Sequence, residues 1–361
     1  MTAEIAVYNR SGVALAADSA VTTTNGFSEK IYNNADKLFE LSKHHPVGVM
    51  IYNNATLCHA PWEVIIKAYR KTLDENPLKT INDYCERFFT FIQNSENIVT
   101  QEMQIASFKA IYRHAILDAI LNKVQNEDVA SFLQANNRFP TSEQYQRFIE
   151  EQVILISDKL NNSNYYRGFD ENDLILAKEF ASELTMQISF DCIVQIQEDG
   201  MPPYKQSLIE SLTNLFALYT CKESDLNTYT GLVIAGYGED EYYPAVQSHH
   251  IFGLFNKKVM TPNNTNSSNR LSHSVIMPFA QDDEVMTFMK GCSAGITNCT
   301  NDAITNALNN LKNEVFTKLA TQHSEWPRET VLAAIVSVIP GLITYTNNVI
   351  NNYSIQNHIQ K

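Results

Sequence analysis

Strand-forming sequence occurs in two blocks, residues 3–52 and 229–260, kept apart by a long stretch of helical texture. A sheet assembled from both blocks must close over that stretch, which restricts the chain to α+β layering with an internal helical segment. In the first block, Ala3 to Tyr8 and Val13 to Ala17 are short apolar runs flanking Asn9-Arg10-Ser11-Gly12, a hairpin turn. Lys37 to Leu41 and Val47 to Tyr52 make a second pair around Ser42-Lys43-His44-His45-Pro46. The polar segment Thr22 to Asn34 reads as a loop with short extended pieces. In the second block, Thr230 to Ala235 and Tyr242 to Val246 pair through Gly236-Tyr237-Gly238-Glu239-Asp240. Thr261 to Arg270 is loop-like, and His273 to Met277 a short strand.

Helical signals begin at Pro61, which suits a first turn, followed by Val64, Ile65, Ala68 and Leu73. A second helix starts at Thr80 with Tyr84, Phe88 and Ile92 on one face, the core side. Residues 101 to about 222 read as helix nearly throughout. Phe108, Ile111, Ala115 and Ala119 make a stripe, Thr141-Ser142-Glu143-Gln144 is a capping box, and Asp170 caps a further helix. Ser207 to Tyr219 and the segments 282–290, 300–320 and 328–350 are also helical in texture. The expected organisation is therefore residues 1–99 and 228–361 as two parts of one layered domain, with 100–227 inserted as helices.

With 27 Lys+Arg against 40 Asp+Glu, the formal net charge is -13, and no run of Lys and Arg offsets it. Nucleic acid is not the expected partner. The longest apolar run, Val331 to Ile343, is interrupted by Ser337 and Pro340-Gly341 and is too short to span a bilayer. The N-terminus has no secretory signal pattern, and six scattered cysteines without a CxxC pair read as reduced thiols, so a cytoplasmic location is expected. His44-His45 and His249-His250 lack metal-site spacing and read as loop histidines, so no metal is expected.

Chemistry is best sought at the hairpin ends. A first hairpin centred near Arg10 and Ser11 sets Thr2 opposite Ser19, beside Asp18. A second, centred near His44 and His45, sets Lys37 opposite Tyr52; Lys30 is its rival. Removal of Met1 leaves Thr2 with a free α-amine, whose ordinary pKa of about 7.7–8.0 lets it act as base for its own hydroxyl. A lysine ammonium nearby lowers that amine further by like charge. If the two hairpin ends meet, backbone N–H groups at Tyr52 to Asn54, just past the strand, are the expected oxyanion donors.

The blocks Gly12-Val13-Ala14-Leu15-Ala16-Ala17-Asp18-Ser19, Asp36-Lys37-Leu38-Phe39 and Gly48-Val49-Met50-Ile51-Tyr52-Asn53-Asn54-Ala55 resemble the start of a proteasome β-type subunit. Leu232 to Val246 is similar to that family's later hairpin. The resemblance implies an N-terminal-nucleophile hydrolase: a four-layer αββα sandwich with Thr2 as nucleophile, Asp18 and Lys37 tuning it, and Asn53 as backbone oxyanion donor. It implies peptide or other amide substrates, no cofactor, and self-association into a homo-oligomer, of which a ring is one form. Asn53 and Asn54 stand where the family usually has small glycines, no Ser-Gly-Gly buttress follows near the C-terminus, and the helical stretch before Lys361 replaces a further strand pair. These departures keep two alternatives open: a catalytically silent scaffold subunit, or a hydrolase of small-molecule amides.

Overall fold

The segment Thr230–Gly236 is uncharged and carries Val and Ile at its centre, and all seven of its residues are buried. A strand that is dry on both faces belongs in the middle of a covered sheet. The computed structural model describes residues 3–322 apart from 20, 25–28, 33–35, 74, 199–204, 225–228, 264–265, 269–273, 281–284, 286, 289–290 and 292, together with isolated positions between 327 and 348. It is 56% helical and 20% strand, which makes the chain mixed α+β. Two compact units are distinguished: Ser11–Leu15 with Ala35–Leu271, and the remaining segments 1–10, 16–34 and 272–361.

In the second of these units, β1 (Ala3–Asn9) pairs antiparallel with β14 (Ser274–Ala280), from Ala3↔Ala280 to Asn9↔Ser274. The chain turns at Arg10 and Ser11, as the hairpin signal requires, into β2 (Gly12–Ala17). The polar segment after it is more regular than a loop: β3 (Val21–Thr24) and β4 (Glu29–Tyr32) form a two-stranded ribbon. Thr, Val, Ile and Tyr supply the strand propensity that polarity obscures. A long helix, α9 (Ala294–Gln322), follows. Most of 282–290 and 328–350 lies outside the described residues.

In the first unit, β5 (Leu38–Glu40), β6 (Val47–Asn53), β9 (Thr230–Gly236), β10 (Ala245–Ile251) and β13 (Asn266–Ser268) make a five-stranded sheet of order β13-β10-β9-β6-β5. One face presents Val47, Val49, Ile51, Leu232 and Ile234 to α1 (Trp62–Arg70) and α2 (Ile81–Gln93). Trp62, Ile65, Ile66 and Tyr69 of α1 and Tyr84, Phe88 and Ile92 of α2 complete that core, each side chain contributing about 1.5–3 kcal/mol by burial. The other face, carrying Met50, Tyr52, Val233 and Ala235, is buried as well. Leu15 of β2 lies over it at Gly48, where an added methyl would sit 3.5 Å from Leu15 Cδ1.

Several helix ends match their sequence signals. Thr80 caps α2, exchanging bonds with Asp83, and Thr141 and Gln144 form a capping box for α6 (Ser142–Asn161). Asp170 Oδ1 accepts from the Asn172 and Asp173 N–H groups at the start of α7 (Glu171–Glu198). Pro61 differs: it is extended (φ -61, ψ 132) and precedes the helix rather than opening it. It ends the short strand β8 (Ala60–Pro61), which pairs with β7 (Thr56–Leu57).

Between α2 and β9 most of the described residues from Gln101 to Cys221 are helical. α3 (Gln101–Ala110), α4 (Asp118–Lys123) and α5 (Ala130–Asn136) form one run, interrupted by π-helical turns at Ile111–Leu117 and Val124–Val129. With α6, α7 and α8 (Gln206–Cys221) they enclose a second core, in which Tyr112 stacks on Phe216 at 4.4 Å. The ribbon of β11 (Gly253–Phe255) and β12 (Lys258–Met260) fastens this helical body: buried Asp173 accepts from Lys258 Nζ at 2.8 Å and Asn256 Nδ2 at 3.2 Å.

One expected strand is displaced. Tyr242 to Val246 was the sequence candidate, but β10 starts at Ala245. Tyr242 is 93% exposed, Pro244 lacks an N–H for the ladder, and Glu239 and Asp240 donate instead to the carbonyls of Leu78 and Lys79. The connection is thereby tied to the approach to α2, and pairing begins later.

Candidate functional site

Thr2 lies outside the described residues. Asp18 is half-buried and follows the end of β2 directly. Lys37 and Asn53 belong to the other unit, where both stand at one end of the β5–β6 pair. The hairpin register there is Leu38↔Met50, Phe39↔Val49 and Glu40↔Gly48, one residue away from the register read from the sequence. Lys37 therefore lies opposite Ile51, whose N–H donates to the Lys37 carbonyl at 2.9 Å, and not opposite Tyr52. A slip of one residue exchanges the faces of a strand, so this correction changes which side Lys37 belongs to. Lys37 is only 7% exposed, unusual for a lysine. Lys30, its sequence rival, sits within the β3–β4 ribbon opposite Thr23.

Asn53 ends β6 with φ 65, in the left-handed region that asparagine tolerates better than most residues. The backbone can thus turn here much as glycine would, although a side chain is present. The residues after it are held from several directions. Trp62 Nε1–H donates to Thr230 Oγ1 at 2.9 Å, and that hydroxyl donates to the Asn54 carbonyl at 2.9 Å. Asn54 Oδ1 accepts from the N–H and hydroxyl of Thr56, each at 3.1 Å, and the Trp62 N–H donates to the Ala55 carbonyl at 3.1 Å. A buried indole thereby anchors the loop that follows the candidate oxyanion donor.

A polar pair next to this loop was not legible as a pair. Tyr52 and His250 are both register partners of Gly231 on the intervening strand. Their side chains meet over it, Tyr52 hydroxyl to His250 Nε2 at 3.1 Å, and Tyr229 stacks on the imidazole at 4.1 Å. Gly231 is required: a Cβ there would lie 1.9 Å from Tyr52 Cζ. Glycine inside a strand was the available signal, since it marks close approach of another group. His249 and His250 are thus strand residues and not loop histidines. His249 points to the opposite face, where its ring meets Phe89 edge-on at 4.9 Å. Burial, and then the charges of Arg167 and His250, lower His249 to about 4; burial also lowers His250.

The buried thiols are poor nucleophiles: burial raises Cys58 and Cys85, and pushes Cys221 up to about 12. Among the described residues no cluster of three or more His, Cys, Asp or Glu is placed to hold a metal ion, and no helix is long and apolar enough to cross a membrane. Neither a protein-family model nor a curated protein matches this chain.

Proposed function

We propose that this chain is a proteasome β-subunit-like N-terminal-nucleophile hydrolase that cleaves amide bonds, with peptides as the preferred substrate class. The observation that carries the reading is that a buried Lys37 and a left-handed Asn53 both stand at the same end of β5–β6. A four-layer αββα sandwich accounts for the covering of the five-stranded sheet, by α1 and α2 on one face and by Leu15 of β2 on the other.

In this reading Met1 is removed and Thr2 becomes the chain start. Its hydroxyl oxygen attacks the substrate carbonyl carbon while its α-amine takes the hydroxyl proton. The Asn53 N–H donates to the oxyanion, and Lys37 and Asp18 set the charge around the amine. The proton passes to the departing amine as the amide C–N bond breaks. Water then cleaves the acyl ester and regenerates Thr2. The reaction needs no cofactor. Cytoplasmic residence and assembly into a homo-oligomeric ring belong to the same proposal.

The test begins with the intact mass of native protein, expected to lack Met1 and to gain one adduct from a threonine-directed covalent probe. Thr2→Ala should abolish the adduct and lower turnover by several orders of magnitude. Lys37→Ala should lose comparable activity, whereas Lys30→Ala should retain it. Retention of Met1, or equal behaviour of wild type and Thr2→Ala on peptides and small amides, would favour the silent scaffold. Turnover confined to small amides would assign the second enzyme reading.

A further inference from the structure

A groove of about 640 Å³ opens where the end of α2, the first turns of α3, the start of α7 and the tip of the β11–β12 ribbon come together, all within one compact unit. Its volume lies within the range of ligand sites. The floor is apolar: Ile92, Val99, Phe108, Leu254 and Phe255 are buried there, and Ile105 and Leu176 stand exposed along it. The charged residues of the described lining are Glu96 and Lys257, and these pair with each other at 2.7 Å. The lining charge is thus balanced, and the groove suits a neutral occupant.

The ion pair also fixes one wall. Asn256 and Lys257 form the two-residue tip of the ribbon, both left-handed, with φ 47 and φ 57. Glycine is the ordinary choice at the second of these positions. Lys257 takes the strained conformation instead, and its ammonium ties the tip to Glu96 in the α2–α3 connection.

Four side-chain amides complete the lining, and two of them have a settled orientation. Gln104 Nε2 donates to the Val99 carbonyl at 3.1 Å, and Asn256 Nδ2 donates to Asp173 Oδ1 at 3.2 Å. Carbonyl and carboxylate oxygens only accept, so in each case the amide oxygen is left open as an acceptor, one on α3 and one on the ribbon. Gln93 and Gln101 make no hydrogen bond among the described residues and offer both ends of their amides. An occupant must therefore bring N–H or O–H donors together with apolar groups. The phenylalanines argue against a sugar: Phe108 meets Phe255 edge-on at 5.9 Å and Phe180 edge-on at 5.4 Å, which builds a floor for apolar side chains and not a flat platform.

We propose that this groove binds a neutral, extended peptide segment carrying apolar side chains at alternate positions. The alternate side chains lie on the apolar floor, and backbone N–H groups donate to Gln104 Oε1 and Asn256 Oδ1. The groove uses none of the Thr2 chemistry, so peptide binding here and the hydrolase reading can fail separately.

Calorimetric titration of the full chain with four probes tests it, reading binding and not turnover. Acetyl-Ser-Leu-Ser-Leu-Ser-amide carries both features. A second peptide has Asp in place of both Leu, a third is N-methylated at both Leu, and maltotriose stands for a neutral sugar. The first peptide should bind most tightly, the N-methylated one about fivefold and the Asp peptide at least about tenfold more weakly. Gln104→Leu should reduce the preference over the N-methylated peptide. Ile105→Asp with Leu176→Asp, both at exposed positions, should weaken the first peptide about tenfold. No binding of the first peptide up to about 1 mM, affinities for the three peptides within about twofold on the wild type, or tighter binding of maltotriose would each overturn the proposal even if a variant fails to fold. A folded Ile105→Asp, Leu176→Asp chain that binds like wild type would overturn it too.

Discussion

Thr230 serves two neighbours with one hydroxyl, accepting from the Trp62 indole and donating to the Asn54 carbonyl. Thr230→Val keeps the shape but leaves a buried indole N–H unpaired, and should cost about 1–3 kcal/mol in chemical denaturation. Thr230→Ser should recover most of that loss. The same scale holds a pH effect. His249 titrates at about 4 in the folded chain, below its ordinary value of 6.5, so the unfolded chain takes up the proton first. Its contribution is complete above the ordinary value and is lost as pH falls from 6.5 towards 4. Between neutral pH and pH about 4.5 the loss should reach about 2–3 kcal/mol. Urea titrations at both pH values should show it, and His249→Phe, which keeps the contact with Phe89, should remove most of that slope.

Asp173 links elements rather than residues, joining the first turn of α7 to the β11–β12 ribbon through Lys258 and Asn256. Burial alone would raise its carboxyl, but the bonds from Lys258, the Asp170 N–H and Asn256 outweigh that and hold it below the ordinary carboxylate range. The stability it supplies is present above about pH 3.9 and lost as pH falls through the lowered folded value. Asp173→Ala removes the acceptor for Lys258, Asn256 and the Asp170 N–H and should cost about 1–3 kcal/mol. Denaturation at neutral pH checks this, and the variant's loss should shrink in acid where the wild type is already protonated. The His249 and Asp173 effects occupy different pH windows, so one acid titration series can separate them.

At the scale of the whole molecule, the hydrolase reading predicts self-association. Light scattering should give a mass that is a multiple of 40.9 kDa and independent of added nucleic acid. A strict monomer across concentrations would remove the ring and favour small amides over peptides as substrates. Mixed α+β character and the helical stretch follow from how the apolar residues are spaced, which is why they were legible from the chain alone. Asp18, Lys37 and Asn53 were likewise legible as residues at strand ends. Their spatial relation to one another and to Thr2 was not, because it depends on sheet pairing over long sequence separations.

Local signals acting within a few residues were decisive in the sequence itself: the capping residues Thr80, Thr141 and Asp170, the turn at Arg10 and Ser11, and the uncharged run of β9. Each rests on backbone geometry or a short-range bond that needs no distant partner. Only tertiary structure decided the register of β5 on β6, the late start of β10 and the meeting of Tyr52 with His250 over Gly231. A one-residue register shift leaves composition and periodicity almost unchanged, yet it moves every side chain to the other face, and only packing against the rest of the fold selects between the two.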